Sequence, residues 1–303
     1  MAGWEGIWPV APTPFHDDGR VDTDGMRRVL DCMIDQGSTG ICVLANFSEQ
    51  FLLSDDERET LTWLSLDHVA GRVPVIVTIS HFATAIAVER ARRARAQGAA
   101  AVMMMAPYHG ATLRGTAQQC FEQFAAVGEV GIPIMVQDAP MSGVDLPVPL
   151  LVRMAREIEM VKLFKIECPQ AAAKLRDLVA QGGDAIEAPM DGEEAITLLA
   201  DLDAGATGSM TSASIVDRIK PVLELWAAGQ REAATDAYAR ILPFVNHENR
   251  QCGFRAAKAL MKEGGVIASD ACRHPIPPLH PDTRRMAIDL ARRLDPIVLR
   301  WGR

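Results

Sequence analysis

Lysine is scarce in this chain. Only six occur in 303 residues, at Lys162, Lys165, Lys174, Lys220, Lys258 and Lys262. Lys and Arg together number 31 against 39 Asp and Glu, giving a net charge of −8. A nucleic-acid partner requires a basic face, so none is expected. No apolar run approaches the ~18 residues of a membrane span, so no membrane partner is expected either. The opening Met1-Ala2-Gly3-Trp4-Glu5-Gly6 lacks the basic region and apolar core of a signal peptide. Cys32, Cys42, Cys120, Cys168, Cys252 and Cys272 are scattered without CxxC spacing. That pattern predicts reduced thiols in a cytoplasmic protein, not a zinc or disulfide framework. The rest of the composition, 49% hydrophobic and 23% charged, is ordinary for a globular protein.

What is present is an alternation of strand-like runs and helical patterns. Strands are predicted at Ile7 to Ala11, Gly40 to Ala45, Val75 to Ile79, Ala101 to Met105, Pro133 to Gln137, Val161 to Lys165, Ala185 to Ala188 and Ala206 to Ser209. Helices are predicted between them, including one opened by the capping box at Ser54-Asp55-Asp56-Glu57 and one over Glu193 to Asp203. Eight such pairs predict an α/β fold, a (β/α)8 TIM barrel over residues 1–230. A doubly wound sheet usually carries glycines after its first strand, whereas this turn reads Ala11-Pro12-Thr13-Pro14. Residues 231–303 are read as a C-terminal helical extension packed on the barrel.

The chemistry is expected at the C-terminal ends of the strands. There Lys165 lies between Phe164 and Ile166. Burial of its stem would desolvate the amine and lower its pKa, as a Schiff-base nucleophile requires. Alternation along a strand puts Glu167 on the same face, roughly 7 Å along the wall, and Lys162 on the other. The same pattern also suits a buried structural ion pair. Lys174, Lys220, Lys258 and Lys262 lie in polar, helix-patterned segments and read as solvated surface groups. Gly205-Ala206-Thr207-Gly208-Ser209 lacks the lysine of a phosphate loop, and His247-Glu248-Asn249-Arg250-Gln251 lacks the second histidine of HExxH. No cofactor or metal is called for.

Taken together, these segments resemble the dihydrodipicolinate synthase/N-acetylneuraminate lyase superfamily of class I aldolase-like enzymes. The resemblance rests on Gly6-Ile7-Trp8-Pro9-Val10-Ala11-Pro12-Thr13-Pro14-Phe15, on Phe164-Lys165-Ile166-Glu167, and on Leu260-Met261-Lys262 with the segments through Leu279. It implies a Schiff base on Lys165, a small-molecule 2-keto acid substrate and a homotetramer. The departures are as informative. Ala45-Asn46-Phe47-Ser48-Glu49 stands where the family has Gly-Thr-Thr-Gly-Glu, and Gln137-Asp138-Ala139-Pro140 stands where it has Tyr-Asn-x-Pro. The family's second tyrosine falls at His109 and the synthase arginine at Ser142.

An amide cannot relay a proton as a phenol does, so the departures argue against the synthase reaction. They are similar to a subgroup that dehydrates five-carbon 2-keto-3-deoxy sugar acids to α-ketoglutaric semialdehyde. Glu167 is the first candidate for acid–base work and Glu194 the second, with Glu193 its rival at the start of the predicted helix. Asn46, Phe47 and Ser48 are candidates for the substrate carboxylate. His81, His109, Gln137, Glu193, Gly208 and Ser209 are candidates for the rest of the substrate. A retro-aldol lyase, a deaminase of a hydroxylated pyrroline carboxylate and a non-catalytic keto-acid-binding barrel remain open on these residues.

Overall fold

The computed structural model describes residues 3–109, 112–139 and 143–303, the side chain of His109 excepted. In chain order the first elements are β1 (Gly6–Ile7), α1 (Thr23–Asp35), β2 (Ile41–Val43), α2 (Asp55–Val69), β3 (Val75–Thr78), α3 (Thr84–Ala96) and β4 (Ala101–Met105). A small hairpin, β5 (Tyr108–His109) and β6 (Leu113–Arg114), precedes α4 (Ala117–Gly128), β7 (Ile134–Asp138), α5 (Val148–Glu157) and β8 (Val161–Ile166). Then come α6 (Ala171–Gly182), β9 (Ala188–Asp191), α7 (Leu198–Asp203), β10 (Gly208–Ser209) and α8 (Val216–Ala227). The remainder is helical: α9 (Arg231–His247), a π-helical turn (Glu248–Cys252), α10 (Arg255–Glu263) and α11 (Pro281–Arg292).

Eight strands hydrogen-bond in the order β1-β10-β9-β8-β7-β4-β3-β2. Val10, just past β1, bridges in parallel to both Cys42 and Ser212, which joins the two ends of that order. Parallel strands each followed by a helix make a (β/α)8 barrel, as expected.

The chain packs as two compact units. One runs over residues 3–5, Ile76–Glu193 and Thr197–Met210, the other over Gly6–Val75, Glu194–Ile196 and Thr211–Arg303. In the first, β4 and β7 are buried at every residue, as strands covered on both faces must be. Its helix α3 turns Ala87, Ala91 and Ala94 inward at one-turn spacing, leaving its arginines on the other faces. In the second, α2 starts where the predicted capping box lies: Ser54 accepts from the Glu57 N–H while Glu57 accepts from the Ser54 N–H. The Glu57 carboxylate also takes both guanidinium nitrogens of Arg273 at 2.7 Å, which pulls its pKa down to about 2. All six cysteines are free.

Three expectations need correction. The strand predicted at Ala185 to Ala188 lies at Ala188–Asp191, and Ala185 belongs to a 3₁₀ turn. Proline is disfavoured inside a sheet, yet Pro189 sits mid-strand and contributes its carbonyl to Thr207 N–H at 2.8 Å. The helix predicted from Glu193 begins only at Leu198. Before it, Glu194 and Ala195 adopt left-handed backbone, with φ of 53° and 66°, which no helix accommodates. Lys174, 15% exposed at its side chain, is held by buried Asp138, and Lys258, finally, is no surface group. It is fully buried on α10 among Ala256, Ala257 and Leu260, where it pairs with Glu49.

Candidate active site

Lys165 is the penultimate residue of β8 and is only 3% exposed. Its register neighbours are Gln137 on β7 and Met190 on β9. Side chains at matching register in parallel strands project to the same face, which brings Gln137 beside Lys165. Glu167 follows the strand end, and its side chain folds back. Lys165 Nζ donates to Glu167 Oε2 at 2.8 Å, and Gln137 Nε2 donates to that same oxygen at 2.8 Å. The carboxylate is therefore held from two sides. The ~7 Å expected along the strand is the backbone separation, which the long side chains close.

Beneath this trio the backbone packs tightly. A Cβ placed on Gly192 would lie 2.7 Å from the Ile166 carbonyl oxygen and 2.9 Å from Lys165 Cγ. Only glycine lets the turn after β9 approach the lysine stem so closely. Beside the trio, Asp138 ends β7 and accepts Lys174 Nζ at 2.6 Å, while burial pushes its pKa up. Lys162 points away, as alternation predicts, to Glu187 Oε1 at 2.7 Å.

Further along the same unit, the Ser209 hydroxyl donates to the Asp191 carboxylate, and Gly208 is buried next to it. Glu193 N–H donates to Asp191 Oδ1 at 3.2 Å. His81 accepts the Ala83 N–H on Nδ1 at 2.9 Å and stacks on Phe82, with centroids 4.3 Å apart. The His109 side chain and Ser142 lie outside the described residues.

In the other unit, Asn46, Phe47 and Ser48 form one 3₁₀ turn after β2. The Ser48 hydroxyl donates to the Ala11 carbonyl at 2.6 Å and accepts the Ala45 N–H at 3.1 Å. Thr13 Oγ1 donates to the Ser48 carbonyl at 2.7 Å. Asn46 Oδ1 accepts from Gln50 Nε2 at 2.7 Å, and the Phe47 ring meets Phe254 edge-on, with centroids 6.1 Å apart. The turn ends at Glu49, in left-handed conformation, whose carboxylate takes the Lys258 ammonium and the Arg273 N–H.

Glu194 sits in the left-handed turn described above. Tyr238 pins that turn by donating to the carbonyls of Ala195 and Ile196, at 3.0 and 2.6 Å. Asn249, on the π-helical turn, donates to Glu194 Oε2 at 3.5 Å. The π-helical turn is anchored in turn by Glu248, which is buried and accepts both the Ser212 hydroxyl at 2.7 Å and the Ser214 hydroxyl. Burial pushes the Glu248 pKa up to about 7 against those hydrogen bonds. Sequence reasoning did not anticipate Asn249, Glu248 or the Lys258–Glu49 pair. In the sequence His247-Glu248-Asn249-Arg250-Gln251 reads as an incomplete HExxH, and a π-turn has no periodicity of its own to announce its contacts.

Known proteins resemble this chain along nearly its whole length. Residues 4–293 match the model of the dihydrodipicolinate synthetase family. A protein of Azospirillum brasilense named L-2-keto-3-deoxyarabonate dehydratase is 60% identical over 298 residues, 98% of this chain and 96% of the relative. A 4-hydroxy-tetrahydrodipicolinate synthase of Xanthomonas axonopodis pv. citri (strain 306) is 30% identical over 298 residues, 94% of each. The crystal structure of dihydrodipicolinate synthase from Rhodopseudomonas palustris superimposes with a TM-score of 0.87 at 26% identity, over 97% of this chain and 98% of the other. With its barrel, its strand-end lysine and the match along nearly its whole length, the chain belongs to the dihydrodipicolinate synthetase family.

Proposed function

We propose that this protein is a Schiff-base hydro-lyase that dehydrates L-2-keto-3-deoxyarabonate to α-ketoglutaric semialdehyde and water. The observation that carries the reading is the Lys165–Glu167–Gln137 arrangement, with an amide on the carboxylate that accompanies the amine. The 60% identity to the Azospirillum enzyme supports it independently.

In the proposed reaction the Lys165 amine adds to the C2 ketone and water leaves, giving an iminium. Glu167 takes a C3 proton, and the C3–H electron pair becomes the C2=C3 bond of an enamine. That pair then expels the C4 hydroxyl, which departs as water on receiving a proton. Loss of a C5 proton and return of a proton to C3 place a double bond between C4 and C5, an enol. Protonation at C4 turns the enol into the C5 aldehyde, and hydrolysis of the iminium restores Lys165. One water is lost overall. Positioned acid–base groups of this kind contribute ~10²–10⁴-fold each. Glu194 is the proposed second proton-transfer group and Glu193 its rival; backbone strain of the kind seen at Glu194 clusters at functional sites.

Asn46, Phe47 and Ser48 are proposed to receive the substrate carboxylate. His81, His109, Gly208 and Ser209 are proposed to line the remainder of the substrate. Among the described residues no helix is long and apolar enough to cross a membrane. Cytoplasmic location and a homotetramer complete the proposal, and light scattering on the purified protein tests the second.

Borohydride quenching during turnover tests the reaction. An adduct on Lys165 that keeps all five carbons but lacks one water supports dehydration. A three-carbon adduct would mean retro-aldol cleavage instead.

A further inference from the structure

Two carboxyl groups meet behind the strand end that carries the Glu193 turn. Asp191, the last residue of β9, and Asp201, on α7, are each 0% exposed. Each has its own hydroxyl donor. Ser209 Oγ donates to Asp191 Oδ2, and Thr197 Oγ1 donates to Asp201 Oδ2 at 2.6 Å. The two carboxyls lie within hydrogen-bond reach of one another. Asp201 Oδ1 is buried and has no donor among the described residues. The charges that act most strongly on Asp201 are both acidic, Asp191 and Glu193. Arg176, on the neighbouring α6, is spent on exposed Asp203.

Two buried carboxylates at such a contact cannot both ionise, because the repulsion adds to the cost of desolvation. The orphaned oxygen is explained if a proton sits between the pair. We infer that Asp191 and Asp201 share one proton, and that Asp201 is thereby a positioning residue for the proposed reaction. Through Asp191 it fixes the Ser209 hydroxyl and the Glu193 N–H, and with them the Gly192 backbone that presses on the Lys165 stem. This inference rests on the functional reading for its kinetic consequence, though not for the shared proton itself. Burial first, then Asp191, pushes the Asp201 pKa up to about 8. The pair titrates as a unit, so this value belongs to the shared proton. Above that pH the proton leaves, the carboxylates repel, and the turn loosens from Lys165.

Asp201→Asn replaces the protonated partner with a neutral group that still donates to Asp191. Difference infrared spectra taken across pH 8 on proteins that also carry Glu248→Gln, which removes the buried carboxyl whose pKa lies at about 7, should show a carboxylic acid band that is lost on alkalinisation and that Asp201→Asn lacks throughout. The kcat profile of the wild type should fall through the same range, with Asp201→Asn keeping its rate there. KM should change less than kcat. Should Asp201→Asn fold poorly, Asp191→Asn gives the converse test, since it should lower the pH at which Asp201 ionises. No such band with both aspartates in place, or one that survives in both variants, would overturn the shared proton. A wild type and Asp201→Asn with coincident alkaline limbs would overturn the positioning role. Failure of the functional reading looks different: neither protein would dehydrate the keto acid at any pH, while the infrared band would still report on the pair.

Discussion

Glu167 Oε2 lies 2.8 Å from Lys165 Nζ, although the two residues leave the backbone two positions apart at the end of β8. With Lys165 4% and Glu167 13% exposed at the side chain, the pair is shielded from water. A buried pair of this kind contributes little net stability, because desolvation offsets the attraction. Its place at the C-terminal end of a barrel strand is where this fold positions its chemistry.

The pair should separate kinetically. Lys165→Ala should abolish dehydration, by on the order of 10⁴-fold or more as for other nucleophile deletions, and remove the borohydride adduct. Glu167→Gln should still form the adduct with pyruvate while its turnover falls by ~10²–10⁴-fold, the usual worth of a positioned acid–base group. Intact-mass measurement after reduction, alongside steady-state rates, checks both. Equal loss of adduct in the two variants would leave Glu167 as a mere partner of the amine.

Gln137 is expected to orient and not to transfer protons. Gln137→Leu removes its hydrogen bond to Glu167 at nearly constant volume, so kcat should fall by roughly tenfold, the equivalent of about 1.4 kcal/mol for one charge-assisted bond. The thermal midpoint should move little. A rate loss as large as that of Glu167→Gln would assign the amide a larger part.

Lys258 and Glu49 bury their side chains completely against each other, and the ammonium also lies 4.4 Å above the Phe15 ring. Lys258→Met leaves Glu49 as an uncompensated buried charge, which typically costs about 3–5 kcal/mol. A fall in the thermal midpoint of roughly 10 °C is expected from that loss. Scanning calorimetry of the two proteins measures it, and an unchanged midpoint would contradict the assignment.

Glu248 gives the fold a pH dependence of its own. Burial raises its folded value to about 7, above the ordinary carboxylate value of 4.5. The native state therefore binds more protons than the unfolded chain between those values. Its contribution is complete below about pH 4.5 and is lost as pH climbs through 7. Glu248→Gln should flatten that decline, seen as thermal midpoints that converge with the wild type in acid and exceed it above neutrality. Parallel midpoint curves would remove Glu248 from the account.

How legible was this protein in its sequence? Ala101 to Met105 was predicted to the residue, inside an unbroken apolar run between Gly98 and Pro107. Lys165 was legible from its flanks, Phe164 and Ile166, and from the carboxylate two positions on. What escaped depends on distant partners. The burial of Lys258 is settled by Glu49, 209 positions away, and nothing local to α10 announces it. Glu193-Glu194-Ala195-Ile196-Thr197-Leu198 has the composition of a helix, and local propensity predicts one. The left-handed turn found there is held by Tyr238, more than forty positions later, a tertiary contact overriding that propensity. The Asp191–Asp201 pair joins a strand end to the helix after it, and no spacing rule relates the two.

Purified protein incubated with L-2-keto-3-deoxyarabonate should yield a product lighter by one water that reacts as an aldehyde, with Lys165→Ala producing none. Pyruvate in place of that semialdehyde would contradict the account, leaving the lysine right and the broken bond wrong.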